Sequence, residues 1–418
     1  MTGVFGLLLA GALTQGLPRA RPADVGLSAA ALDRIAPVLR AQVDSGKFPG
    51  FVAAVARHGK LIYFASIGTS ATGAAHAPAS DAVFRIFSMT KPITSVAVMQ
   101  LYETGKLRLD DPVSQYVPAF ANAKVFAGGA STQPQLKDPD RPVTIGNLLT
   151  HTAGLTYGLF GNTPVDSIYL HAGLFDFSLT AAQLSDSLAH LPLMFSPGTK
   201  WNYSFGIDVL GRIVEVVSGQ TLDRFLDSSL FQPLGMRMTA FHVTPAMQPH
   251  VIPVYERGAG GKLQAQTPFL QPGFTDAGKL LSGGGGLLST PGDYLRFAQM
   301  LLNGGELDGH RVLRPETVQL MLQNHLAAGV YPITPGPNWP RGHTGFGYGG
   351  AVALDVDSAA GGSAGMFRWA GYATTFFWID PKTDLVAMLW TQFAPVMEDG
   401  FALDNAYQRL VYKAVIKN

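Results

Sequence analysis

Ser88-Met89-Thr90-Lys91 places a hydroxyl and an amine three residues apart, where a short extended run, Ala82 to Phe87, gives way to an apolar helical pattern. Residues i and i+3 share a helix face. A helix beginning at Ser88 therefore brings Lys91 under the hydroxyl, at a terminus whose N–H groups favour negative charge. A lysine whose pKa is lowered by desolvation or a positive dipole can take the serine proton and leave a nucleophile. Alone, S-x-x-K is also what a capping serine and a solvated lysine leave behind. Two further segments add chemistry. Trp201-Asn202-Tyr203-Ser204-Phe205 follows the Pro197-Gly198-Thr199 turn and sets a phenol just before a helix. Beside Lys91 that phenol can relay a proton or, as phenolate, act as the base. Trp369-Ala370-Gly371-Tyr372 lies on a strand-like stretch near the C-terminus.

In this order and at roughly these spacings, the three segments resemble the serine β-lactamase and penicillin-recognising family. The likeness is greatest to the family VIII carboxylesterases, which share the class C β-lactamase fold. His151-Thr152-Ala153-Gly154-Leu155, the run Gly283 to Gly286 with Ser289-Thr290-Pro291, and Trp378-Ile379-Asp380-Pro381 extend it from about residue 28 to the C-terminus. The resemblance implies that Ser88 is the nucleophile, Lys91 its proton acceptor and Tyr203 the general base or proton shuttle. It also implies an oxyanion hole made by the backbone N–H groups of Ser88 and Tyr372, where each donor is worth about 10²–10³ in rate. Whether Lys91 or Tyr203 is the resting base depends on their neighbours.

Two departures from the class C pattern bear on substrate. Trp369-Ala370-Gly371 stands where Lys-Thr-Gly is expected, so a cation suited to a β-lactam carboxylate is missing. Family VIII esterases usually carry Trp-Gly-Gly there, and Ala370 is a small deviation even from that. Phe205 replaces the asparagine of Tyr-x-Asn and removes an amide able to hold a peptide. Both changes favour short- to medium-chain carboxylic esters, with weak cephalosporin hydrolysis as a side activity. The alternatives are an acyltransferase, a β-lactamase or D,D-peptidase, and, from another class, a catalytically silent binding protein. The aromatic segment with Tyr157, Leu159, Phe160, Tyr169, Phe175 and Phe177 suits either ordinary core or the wall of an acyl pocket. Tyr157, Phe160 and Phe205 are the pocket candidates.

The elements that must position these groups change character along the chain. Ser28 to Val43 reads as one capped helix and Phe51 to Ile67 as a hairpin turning at His58-Gly59. Thr90 to Thr104 reads as a strong helix ended by Gly105. Ala121 to Pro142 reads as an exposed loop and Thr156 to Phe177 as another, with helices at 144–151, 181–191, 208–218 and 291–303. Gly345 to Val356, Met366 to Ile379 and Leu385 to Gln392 read as strands before a last helix from about Leu403. Strands at both ends and helices between imply an α/β domain from residues 1–88 and 280–418, with a mainly helical domain, 89–279, inserted. The resemblance sharpens this to an antiparallel sheet flanked by helices, with the site at the domain interface.

Composition narrows the chemistry further. The 418 residues include no cysteine, which removes thiol nucleophiles, disulfides and thiolate metal sites together. With 30 basic and 29 acidic residues and no basic block, nothing favours nucleic acid as a partner. The ten histidines show no metal-ligand spacing, so neither metal nor other cofactor is expected. The expected partner is a small-molecule ester, and the sequence leaves the oligomeric state open. No run is long enough to span a membrane. The apolar stretch Val4 to Ala10 lacks a basic residue before Arg19, so a cytoplasmic protein is expected, with a cleaved N-terminal signal as the alternative. Gly361-Gly362-Ser363-Ala364-Gly365 matches the G-x-S-x-G elbow, but no histidine follows it, so a turn is expected. His151 is expected to be a hydrogen-bonded core histidine, and Ser282 to Leu288 a turn or close backbone approach.

Overall fold

A computed structural model describes residues 16–69, 78–265, 279–333, 344–356, 360–396 and 398–416. The apolar stretch at residues 4–10 lies outside these. The frame is a seven-stranded antiparallel sheet. It comprises β1 (Gly50–Arg57), β2 (Lys60–Gly68), β3 (Thr344–Phe346), β4 (Ala351–Ala353), β5 (Phe367–Gly371), β6 (Thr375–Asp380) and β7 (Leu385–Trp390). Their order, β3-β4-β5-β6-β7-β1-β2, brings the two ends of the chain together. The joint is the β1–β7 ladder, with Val52 opposite Trp390 and Arg57 opposite Leu385. The β1–β2 hairpin turns at His58 and Gly59, both in the left-handed region.

Alternation along the central strands explains why both sheet faces are covered. Val52, Ala54, Ala56, Val386, Met388 and Trp390 pack on one side, with Ile93, Tyr294 and Phe297 from the helices Thr90–Glu103 and Pro291–Leu302. Ala53, Val55, Leu385, Ala387 and Leu389 face the other side. There they meet Leu39 of the helix Ile35–Asp44 and Tyr407 and Val411 of the helix Glu398–Ala414. The larger aliphatic side chains among them contribute about 1.5–3 kcal/mol each on burial, and the alanines less. The Thr90–Glu103 helix is buried from Thr90 to Met99 without interruption. A helix buried on every side belongs to the centre of the molecule, and Lys91 is its second residue.

Several sequence expectations need correction. The first helical stretch breaks into Ala29–Leu32 and Ile35–Asp44, with Ser28 Oγ accepting from Ala31 N and capping only the first. The polar segment expected as a loop carries a hairpin, Val125–Ala130 with Gln133–Lys137. Residues 156–177 hold the helix Pro164–His171, started by a Thr163–Asp166 capping box. Gly345 to Val356 and Met366 to Ile379 are each two strands, not one. Among the described residues no helix is long and apolar enough to cross a membrane.

Candidate active site

Ser88 is held in a turn pinned from four directions. The two-residue strand Phe84–Arg85 pairs with Leu288–Ser289, and the Gln392 amide bonds both the N–H and the C=O of Arg85. Thr90 Oγ1 accepts from Leu287 N, and Tyr294 donates its hydroxyl to Met89 O. The tight 3-10 turn Phe87–Met89 then feeds the Thr90–Glu103 helix. Phe87 sits at φ 43°, a strained setting for a bulky residue. Such strain persists only where the surroundings over-determine it.

That turn leaves Ser88 partly exposed and Lys91 wholly buried. Lys91 Nζ lies 3.2 Å from Ser88 Oγ, 3.0 Å from Tyr157 Oη and 2.7 Å from Gly284 O. Burial lowers its pKa to about 7, against the opposing pull of Asp208. A neutral amine has two N–H donors and one lone pair. The Gly284 carbonyl can only accept, and the Tyr157 oxygen can accept the second N–H, so the lone pair is left for the serine proton.

Tyr203 arrives from the turn before the helix Gly206–Ser218. Its ring centroid is 4.7 Å from Lys91 Nζ and 5.4 Å from the Trp369 ring. Burial pushes its phenol upward, while Ser88 and Trp369 pull the other way without restoring the ordinary value. It is therefore a protonated phenol at neutral pH. The end of β5 closes the opposite side. A Cβ on Gly371 would overlap Ile86 O and Thr375 Oγ1, so only glycine lets this strand press on the Ser88 turn. Tyr372 follows, its ring 5.6 Å from that of Phe87.

The pocket candidates divide. Phe160 is 65% exposed, its ring 5.7 Å from Tyr203. Phe205 is buried, its ring 4.3 Å from Tyr157 and 5.3 Å from Phe175. Leu159 and Phe175 are exposed beside them. Tyr157, read as pocket wall, has a polar part as well, linking Lys91 to Asp208 Oδ2 at 3.4 Å. Residues 35–412 match the Beta-lactamase family. The chain belongs to that family.

Among relatives of this beta-lactamase-family chain, Protein Rv1367c of Mycobacterium tuberculosis (strain ATCC 25618 / H37Rv) is 33% identical over 365 residues. That match covers 85% of this chain and 89% of the relative. Esterase EstB of Burkholderia gladioli is 33% identical over 399 residues, covering 89% and 93%. The solved structure of EstCE1, described as a hydrolase with promiscuous acyltransferase activity, superposes with a TM-score of 0.76 at 29% identity, covering 93% and 99%.

Sequence reasoning missed Asp208. Its signal was an acid flanked by Ile207 and Val209 in an apolar first turn of the helix, five residues after Tyr203. The glycine run is the turn expected: Gly285 N and Gly286 N bond Ser282 O, and Thr94 donates to Gly283 O. His151 is the buried, hydrogen-bonded histidine expected. Its Nδ1 is 3.1 Å from Ser204 Oγ and its ring 4.9 Å from that of Tyr203. Ser363 lies in the β4–β5 connection, where Met366 N bonds its carbonyl, and heads no helix.

Proposed function

We propose that this beta-lactamase-family chain is a serine carboxylic-ester hydrolase acting through an acyl-Ser88 intermediate on short- to medium-chain esters. The observation that carries the reading is the 3.2 Å approach of Ser88 Oγ to a wholly buried Lys91 whose pKa is brought to about 7. Neutral Lys91 takes the Ser88 proton as Oγ bonds to the ester carbonyl carbon. The oxyanion is held by the backbone N–H groups of Ser88 and Tyr372. Collapse breaks the bond to the alcohol oxygen, which leaves with the proton returned from Lys91 through Tyr203. Water, deprotonated along the same path, then attacks the acyl carbon, and Ser88 is reprotonated as the acid departs. We also assign the site to the interface between a unit of residues 1–88 and 280–418 and an inserted unit, 89–279.

Substrate class follows from what surrounds the nucleophile. Trp369 stands where a carboxylate-binding cation is expected, and exposed Phe160, Leu159 and Phe175 offer apolar surface. A second reading, acyl transfer to an alcohol in place of water, is favoured by the acyltransferase activity ascribed to EstCE1.

The test compares wild type with Ser88→Ala on p-nitrophenyl butyrate, nitrocefin and a D-Ala-D-Ala peptide. Wild type should prefer the ester, and the variant should lose at least about 10⁴-fold in kcat. An active Ser88→Ala protein rejects the mechanism. Faster nitrocefin turnover makes β-lactams the substrate class, and an inert wild type favours a binding protein.

A further inference from the structure

Asp208 is buried, and its partners carry no formal charge. Oδ1 accepts from Ser282 Oγ at 2.5 Å and from Gly284 N at 3.1 Å, and Oδ2 accepts from the Tyr157 hydroxyl. A carboxylate taken out of water costs several kcal/mol unless it is compensated. The first turn of a helix supplies part of that compensation. The rest leads to Lys91 by two short routes. In one, the Tyr157 hydroxyl touches both groups. In the other, Gly284 gives its N–H to Asp208 and its C=O to Lys91. A Cβ on Gly284 would overlap the Asp208 carboxylate, so glycine is required for that turn to fit.

We propose that Asp208 is a positioning residue for Lys91, fixing the amine under Ser88 and setting how strongly it holds a proton. The inference rests on the acyl-Ser88 reading, which it deepens. The titratable groups facing Lys91 are Tyr157 from the loop after the helix Ile145–Leu149, Tyr203 from the turn before Gly206–Ser218, Asp208 from the first turn of that helix, and His151 behind Tyr203. Burial keeps both phenols protonated and His151 neutral. Asp208 is thus the group among them that brings negative charge. An opposite charge favours the charged form of its partner, so Asp208 holds Lys91 basic against desolvation.

The sign of the effect follows. Neutral Lys91 is the active form, so activity rises with pH as Lys91 loses its proton. Removing the negative charge weakens the hold on that proton. The acid limb of Asp208→Asn should therefore move to lower pH by about one unit, with a lower plateau because the base is weaker. Asp208→Glu keeps the charge, and its limb should stay near wild type even if its plateau falls.

The readout is the rate at which a fluorophosphonate labels Ser88 between pH 5 and 9, taken alongside kcat/KM for p-nitrophenyl butyrate. A limb that stays in place, or moves to higher pH, in folded Asp208→Asn overturns the inference. If that variant does not fold, Asp208→Ser supplies the neutral side chain and is held to the same outcome. Wild type that labels with a limb but hydrolyses no ester rejects the ester reading and leaves Asp208 to stand on the shift alone. Wild type that does not label rejects both.

Discussion

Two buried cations lie on opposite faces of the sheet, and their partners make them different devices. Alternation along β5 sends Trp369 toward Ser88 and Arg368 toward the terminal helix. There the Arg368 guanidinium contacts the Asp404 carboxylate directly and donates to Gln408 Oε1 at 2.7 Å. Arginine does not lose its proton in proteins, so this contact fastens the helix Glu398–Ala414 to the sheet. Asp404 is pushed up to about 6 by burial, against the pull of Arg368. Lys91 meets its carboxylate only through Tyr157 and Gly284, and lysine gives up its proton when desolvated. Direct pairing of a fixed charge makes a clamp; indirect pairing of an adjustable one suits the base we propose.

The comparison breaks most sharply at Lys91. Lys91→Met should lose about 10³–10⁴-fold in kcat/KM, and it should also make the protein more stable at neutral pH. The folded pKa of about 7 lies below the ordinary lysine value of 10.5. Between those values the unfolded chain binds the extra proton, so the lysine weakens folding at and below pH 7, and the penalty fades toward pH 10.5. Gly284 O and Tyr157 Oη would each go without the hydrogen bond that Lys91 donates, which offsets part of the effect. The net gain should be about 1–3 kcal/mol at pH 7. It should shrink by pH 10 in urea titrations. A methionine variant that keeps its activity, or is less stable at pH 7, contradicts the assignment. Asp404→Ala should do the reverse. Leaving Arg368 buried without its carboxylate should lower stability by about 3–5 kcal/mol, with kcat per folded molecule unchanged at temperatures below the transition. Loss of activity without loss of stability would place Asp404 in the site instead.

What could be read beforehand divides along a similar line. Ser88 and Lys91 announce themselves because their spacing is local, and i, i+3 geometry turns it into a 3.2 Å contact. The β1–β2 hairpin and the Thr90–Glu103 helix are legible for the same reason. Asp208 and Gly284 come together across 76 residues, and nothing near either one says which atoms they meet. The Val125–Ala130 hairpin escapes a sequence reading because Gly128, Gly129 and Pro134 mimic a loop, and its residues are mostly exposed, so no apolar alternation marks it. The Pro164–His171 helix does carry a sign, Thr163-Pro164-Val165-Asp166, but the surrounding aromatics and glycines outweigh it.

Phe160 offers the smallest and most selective test. Its 65% exposure means that little of the ring contributes to folding, whereas its position 5.7 Å from Tyr203 puts it at the mouth of the site. Phe205, only 4% exposed, contributes to both. Phe160→Ala should therefore leave stability within about 0.5 kcal/mol while raising KM for p-nitrophenyl hexanoate several-fold, up to about tenfold. The effect on the acetate should be smaller, because a two-carbon acyl group has less apolar surface to lose, and kcat should change little for either ester. Phe205→Ala should move KM and the unfolding midpoint together. Equal KM changes for acetate and hexanoate would mean that Phe160 does not contact the acyl chain. A loss of stability in Phe160→Ala would mean that the ring belongs to the core after all.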